Sequence, residues 1–227
     1  MRIVRHCMTS IAGTRARGSP IRAIFFDFDG VLTRDKTGSI TTLRYLSKAT
    51  GVEYARLSEA FKEHNDALNL GRTTHSAIWP ALCRKLNFQI DIAVLSAAFE
   101  STPFNAGMLE FASKLRKNYF VGIITDNKKD RIDHLKSYAG LPALFDPIVV
   151  SAEVGSDKGS SRIFERALCL LAVAPSESVF IDNTESNLIA PSALGMNTIY
   201  FDDEKNDLQA LTTTLRETYG LTIASAA

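Results

Sequence analysis

Short, largely apolar runs alternate with amphipathic stretches along much of the chain. The runs RAIFF (22–26), YFVGIIT (119–125), PIVVS (147–151), SVFID (178–182) and NTIYF (197–201) are near-continuous in apolar residues. Such runs are expected of strands buried on both faces rather than on one. Between them, apolar residues recur at helical spacing and predict helices near 107–117, 129–138, 160–172, 185–194 and 206–218, several closed by glycine as in SYAG and SALG. From about residue 104 onward this alternation is that of a parallel, doubly wound sheet. The segment 36–103 breaks the rhythm. Leu43, Leu46, Leu57, Phe61, Leu68, Ile78, Leu82, Leu86, Leu95 and Phe99 recur there at helical spacings with no convincing strand between them. The organisation read from the pattern is therefore α/β. A Rossmann-like parallel-sheet core spans 21–35 and 104–227, an all-helical cap domain of residues 36–103 is inserted after the first strand, and a basic, flexible tail covers 1–20. Gly38 and STPFNAG (101–107) supply hinge chemistry at the two crossings.

Composition alters this picture little. With 227 residues, 45% of them apolar and 22% charged, the chain can bury a full core, and a net charge of +1 gives no global attraction to nucleic acid or an acidic membrane. No nucleic-acid partner and no membrane partner is expected, and a monomer or homodimer fits. The apolar runs fall well short of the roughly 20 residues that span a bilayer. Cys7, Cys83 and Cys169 are odd in number and widely spaced, which argues against a disulfide framework and for a reducing, cytoplasmic setting. The tail, with five arginines before residue 23 and no acid, also has the composition of an organelle-targeting segment, and that possibility stays open. His6, His64, His75 and His134 share no ligand spacing and are assigned no catalysis.

The polar residues that follow the strands carry the chemistry. In open α/β sheets, ligands bind beyond the carboxyl ends of the strands. Asp27 and Asp29 follow the first run, Thr125, Asp126 and Asn127 the second, Lys158 the third, and Asp182, Asn183 and Thr184 the fourth. On extended backbone, Asp27 and Asp29 point to one side and Phe28 to the other. One carboxylate can attack phosphorus while its neighbour shuttles a proton. Two acids and a phosphate dianion repel one another, so the site calls for cations. A hard ion such as Mg²⁺, held by Asp27, the backbone carbonyl of Asp29 and Asp182, meets that need together with Lys158. Thr125 is placed to hydrogen-bond a transferring phosphoryl group, and Gly30 lets backbone approach it.

With FFDFDGVL, GIITDN, SAEVGSDKGSSRIF and VFIDNTESNLIAPSALGM in that order, the chain resembles the haloacid dehalogenase superfamily of hydrolases, of the type with a helical cap after the first strand. The resemblance implies Asp27 as nucleophile, Asp29 as general acid and base, Thr125 and Lys158 as phosphoryl binders, and Asp182 on the metal side. Relatives often carry a second acid where this chain has Asn183, and an amide adds no charge, so weaker Mg²⁺ binding is expected. Asp126 stands where relatives often have asparagine, placing extra negative charge near the phosphate-binding group of Gly30, Asp126 and Asn127. The function implied is a Mg²⁺-dependent phosphatase acting on a small phosphorylated metabolite through an aspartyl-phosphate on Asp27. A 2-haloacid dehalogenase or a phosphomutase of the same superfamily, or a weakened binding or regulatory module, are the rivals. Lys128 and Lys129 read as a solvated helix start, Asn187 as a hydrogen-bonding support, Trp79 as core of the helical segment, and DDEKND (202–207) as a solvated loop.

Overall fold

The computed structural model describes residues 20–223, so nearly all of the Arg-rich tail lies outside the described residues. In chain order the elements are β1 (Ala23–Phe26), α1 (Gly38–Thr50), α2 (Tyr54–Lys62), α3 (Asn65–Asn69), α4 (His75–Leu86), α5 (Val94–Glu100), α6 (Ala106–Leu115), β2 (Phe120–Thr125), α7 (Lys129–Tyr138), β3 (Ile148–Val150), α8 (Ser151–Val154), α9 (Arg162–Leu171), β4 (Ser178–Asp182), α10 (Ile189–Leu194), β5 (Asn197–Tyr200) and α11 (Leu208–Tyr219). The five strands form one parallel sheet in the order β3-β2-β1-β4-β5, with β1 in the middle. The chain fills one side of β1 and then crosses to the other. The carboxyl ends of β1, β2 and β4 therefore meet where the strand order reverses, which is where such sheets bind ligands.

Strand alternation divides the core into two layers. Ile24 and Phe26 of β1 face a cluster with α6, α7 and α11, including Met108, Phe111, Leu135 and Leu215. Ala23 and Phe25 face the opposite cluster, built on Ile163, Phe164 and Leu168 of α9. All four residues of β1 are fully buried, and removing a side chain as large as Phe26 is expected to cost about 3–5 kcal/mol. β5 departs from the expected buried run. It is one of the two edge strands and stays half-exposed, whereas β3, at the other edge, is mostly buried.

Between β1 and β2, helices α1 to α5 enclose a third cluster drawn wholly from residues 43–99, including Leu46, Leu57, Trp79 and Leu82. Trp79 is buried there and donates from Nε1 to the carbonyl of Ile90 at 2.7 Å. Thr37 and Thr74 cap α1 and α4 by accepting from the N–H groups of Ile40 and Ala77, each worth about 1 kcal/mol. The two crossings lie side by side. Thr33 and Phe104 form an antiparallel bridge, and the Arg34 N–H donates to Pro103 at 2.8 Å.

Cys83 is a buried free thiol. Cys169 sits on the partly exposed flank of α9, and Cys7 lies outside the described residues. Among the described residues no helix is long and apolar enough to cross a membrane.

Candidate active site

β1 ends its ladder at Asp27, whose N–H donates to Ile181 of β4 at 2.8 Å. Asp27 and Asp29 both keep extended backbone, so their carboxylates emerge on the same side, while Phe28 turns into the core against Phe104. Gly30 then adopts φ +84°, and a Cβ there would fall 2.1 Å from the side-chain nitrogen of Asn183. Glycine is required on both counts: the chain turns, and Asn183 lies directly over the turn.

Two charge centres result. In the first, the Lys158 amine sits 2.9 Å from Asp27 and donates to Asp182 at 2.6 Å, with all three side chains buried. Asp126 accepts from the backbone N–H of Lys158 at 3.0 Å and holds that loop in place. Three carboxylates thus surround one ammonium. Burial, with Asp182 adding to it, pushes Asp27 up to about 8 against the pull of Lys158. Burial alone would lower the Lys158 amine, but Asp27, Asp182 and Asp126 together outweigh it and hold the amine above its usual range. Burial also raises Asp126. In the second centre, Asp29 takes a two-pronged ion pair from Arg131, with Nη1 to Oδ2 and Nη2 to Oδ1 both at 2.9 Å. Asn127 donates to the same carboxylate at 2.8 Å.

Arg131 is the functional residue that the sequence did not bring forward. It is 1% exposed, lies 5.5 Å from the Phe28 ring centroid, and donates to Thr102 at the second crossing at 3.3 Å. Gly38, at the first crossing, packs so closely that a Cβ would meet the guanidinium at 2.2 Å. One signal was present: Arg131 shares the inward face of α7 with Ile132 and Leu135, where a cation needs a buried partner.

Asp27, Asp29, Thr125, Asp126, Asn127 and Lys158 line one cavity of about 360 Å³. Thr125, at the end of β2, is buried, and its hydroxyl lies 3.4 Å from the Asn127 amide. Asn127 is further engaged through its N–H to Ser151 at 2.9 Å. Asn187 donates to both oxygens of Asp182 at 3.2 Å, as a support should. Lys128 does not match the reading of a solvated helix start. It is partly buried on the cavity wall and donates to Ser39 of α1 at 3.1 Å, because the helical segment folds over the start of α7. Lys129, beside it, is exposed and pairs with Asp133. His75 is buried and bonds Asp130 at 2.6 Å. Of the acidic loop, Asp203 and Glu204 pair with Lys36, and Asp207 caps α11.

Among the described residues no three His, Cys, Asp or Glu side chains converge as a ready metal cage. The donors that are present nonetheless suit a hard divalent ion. Asp27, Asp182, the Asn183 amide and nearby carbonyls are all oxygen donors, and the buried carboxylates outnumber the ammonium beside them.

The family model for haloacid dehalogenase-like hydrolases matches residues 21–195. The chain belongs to this family. Among curated proteins it is similar to the rat bifunctional epoxide hydrolase 2, 30% identical over 214 residues, or 84% of this chain and 38% of that protein. The chain thus spans well under half the length of that relative. A glyceraldehyde 3-phosphate phosphatase of Pyrococcus furiosus is 24% identical, covering 80% of each chain. Among solved structures, a family enzyme of Bacteroides thetaiotaomicron in complex with magnesium and inorganic phosphate superposes with a TM-score of 0.69 at 19% identity, covering 84% of this chain and 98% of that one. At that identity the superposition speaks for the shared fold. The family's parallel sheet and flanking helices are those described above, and the chain is a hydrolase of this type.

Proposed function

We propose that this hydrolase is a Mg²⁺-dependent phosphatase of small phosphorylated metabolites, with Asp27 as nucleophile and helices α1 to α5 as a cap over the site. The observation that carries the reading is the meeting of Asp27, Asp29, Thr125 and Lys158 around a single cavity, with Asp182 buried behind it and paired to Lys158. Phosphatase relatives and a phosphate-bound neighbour support it.

In this mechanism an Asp27 oxygen attacks phosphorus and the bond to the leaving oxygen breaks, leaving an acyl phosphate on Asp27. The Lys158 ammonium, held at both Asp27 and Asp182, orients the nucleophile and offsets charge on the phosphoryl oxygens. Thr125 donates its hydroxyl to one of them. As a carboxylate paired with Arg131, Asp29 takes a proton from the water that opens the acyl phosphate, and that proton is the one it gives to the leaving oxygen of the next substrate, so the two half-reactions balance over the cycle. Asp27, Asp182 and Asn183 would hold Mg²⁺, which when bound supplies positive charge against the phosphoryl group. The cap excludes water during the first transfer. Dehalogenation needs no acid at the position of Asp29, so the buried and hydrogen-bonded Asp29 favours phosphoryl transfer.

Purified protein should hydrolyse 4-nitrophenyl phosphate with Mg²⁺ and stop on EDTA treatment. Asp27→Asn should lower kcat by about 10⁴ or more, in line with loss of a covalent nucleophile. Equal activity after EDTA, or an active Asp27→Asn protein, sinks the mechanism.

A further inference from the structure

The basic groups around the cavity differ in what balances them. Lys158 has Asp27 and Asp182, Arg131 has Asp29, and Lys36 pairs outward with Asp203 and Glu204. The Lys128 ammonium has only the Ser39 hydroxyl as a hydrogen-bond partner among the described residues. The acids nearest to it are engaged elsewhere, Asp29 with Arg131 and Asp130 with His75. A largely desolvated ammonium without a counterion is costly and is expected to persist where a ligand supplies the missing charge. Loss of solvent, with Arg131 adding like charge, pushes its amine down to about 8, a strain that a bound anion would relieve.

A second observation on the same wall is independent of charge. The side-chain oxygen of Asn69, at the end of α3, is buried with no hydrogen-bond partner. It needs a donor, which a hydroxyl group on a bound molecule provides. Asn69 comes from the helical segment and Lys128 from the loop after β2, so each of these two parts of the chain contributes one of them to the cavity lining.

We infer that the preferred substrate is a short, hydroxylated phosphate monoester whose leaving half carries a carboxylate, bound by Lys128 and Ser39, with Asn69 accepting from the hydroxyl. This rests on the phosphatase reading for the other half of the molecule. A single ammonium with one hydroxyl beside it balances a monoanion, whereas a second phosphate dianion would leave one negative charge uncompensated in a largely desolvated place. The cavity of about 360 Å³ limits the molecule to the small end of ordinary ligands.

The test uses matched esters. 3-Phosphoglycerate is compared with glycerol 3-phosphate, and phosphoglycolate with 2-hydroxyethyl phosphate, each pair differing in one carboxylate. The wild type should favour the carboxylate member of at least one pair by about tenfold or more in kcat/KM, the scale of one charge-assisted hydrogen bond. Lys128→Met should remove that preference, and Lys128→Arg, which keeps the charge, should retain most of it. No preference in the wild type, or a preference that survives in Lys128→Met, overturns the inference. If no ester is hydrolysed, the phosphatase reading fails and binding decides alone. Calorimetry on Asp27→Asn protein should then show the carboxylate ester binding about tenfold tighter than its partner, and Asp27→Asn/Lys128→Met should show no difference. Equal binding in the first protein overturns the inference.

Discussion

Lys158 and Lys128 reach the same cavity from the loops after α8 and β2, and both are withdrawn from bulk water, yet their surroundings are opposite. Lys158 is outnumbered by Asp27, Asp182 and Asp126, so its charge is more than balanced by the protein itself. Lys128 meets one hydroxyl and a neighbouring guanidinium, and the two carboxylates that act on it, Asp29 and Asp130, are each hydrogen-bonded to another partner and do not offset the loss of solvent. The first ammonium holds the fold and the nucleophile together. The second lowers the stability of the protein, which makes sense if its partner arrives with the substrate. A buried cation is therefore informative through its balance of partners and not through its burial.

The sharpest way to break this contrast is Lys158→Met. It leaves two buried carboxylates without their ammonium, and stability should fall by roughly 3–5 kcal/mol, with phosphatase activity lost; urea unfolding that matches the wild type would refute the account. Arg131→Met removes the partner of Asp29 and should cost about 2–4 kcal/mol. Arg131→Lys should recover only part of it, because a lysine cannot make the two-pronged contact; full recovery would show that geometry does not matter there. Asn183→Asp adds the acid that many relatives carry, and calorimetry should read Mg²⁺ binding about tenfold tighter, near 1.4 kcal/mol. Unchanged Mg²⁺ affinity would remove Asn183 from the metal side.

Lys128→Met gives the smallest effect and the opposite sign. Its folded pKa, about 8, lies below the ordinary 10.5, so between those values the unfolded chain holds the proton that the folded chain has released. The destabilising charge is fully present below about pH 8 and fades as pH rises toward 10.5. The variant should be more stable than wild type by about 1 kcal/mol at pH 7, after allowing for partial exposure, with the gap closing by pH 10. A variant that is less stable at pH 7 would mean that Lys128 is already balanced.

β1 to β4 were legible because each is apolar on both faces, a pattern that few other environments produce. Asp27, Asp29, Thr125, Lys158 and Asp182 were legible because each directly follows such a strand or sits at family spacing from one. The half-exposure of β5 was not, since β3 ends the sheet as well and is mostly buried, so the difference depends on what packs over each edge and not on the apolar run itself. Arg131 stayed hidden because its burial depends on Asp29, about a hundred residues earlier in the chain. Lys128 and Lys129 are neighbours with the same local pattern, and only the packing of α1 over one of them separates a cavity lysine from a solvated one.

The central place of β1 in the sheet has a consequence for how the chain emerges during synthesis. Its partners, Phe120 to Ile123 and Ser178 to Ile181, lie about one hundred and one hundred and fifty residues downstream. The helices that follow it complete their own apolar cluster from residues 43–99 alone. Local contacts form faster than distant ones, so the interrupting segment can assemble on the growing chain while the strand it interrupts is still waiting for a neighbour. During that interval AIFF is an unpaired, wholly apolar edge, the kind of segment from which early association between nascent chains begins.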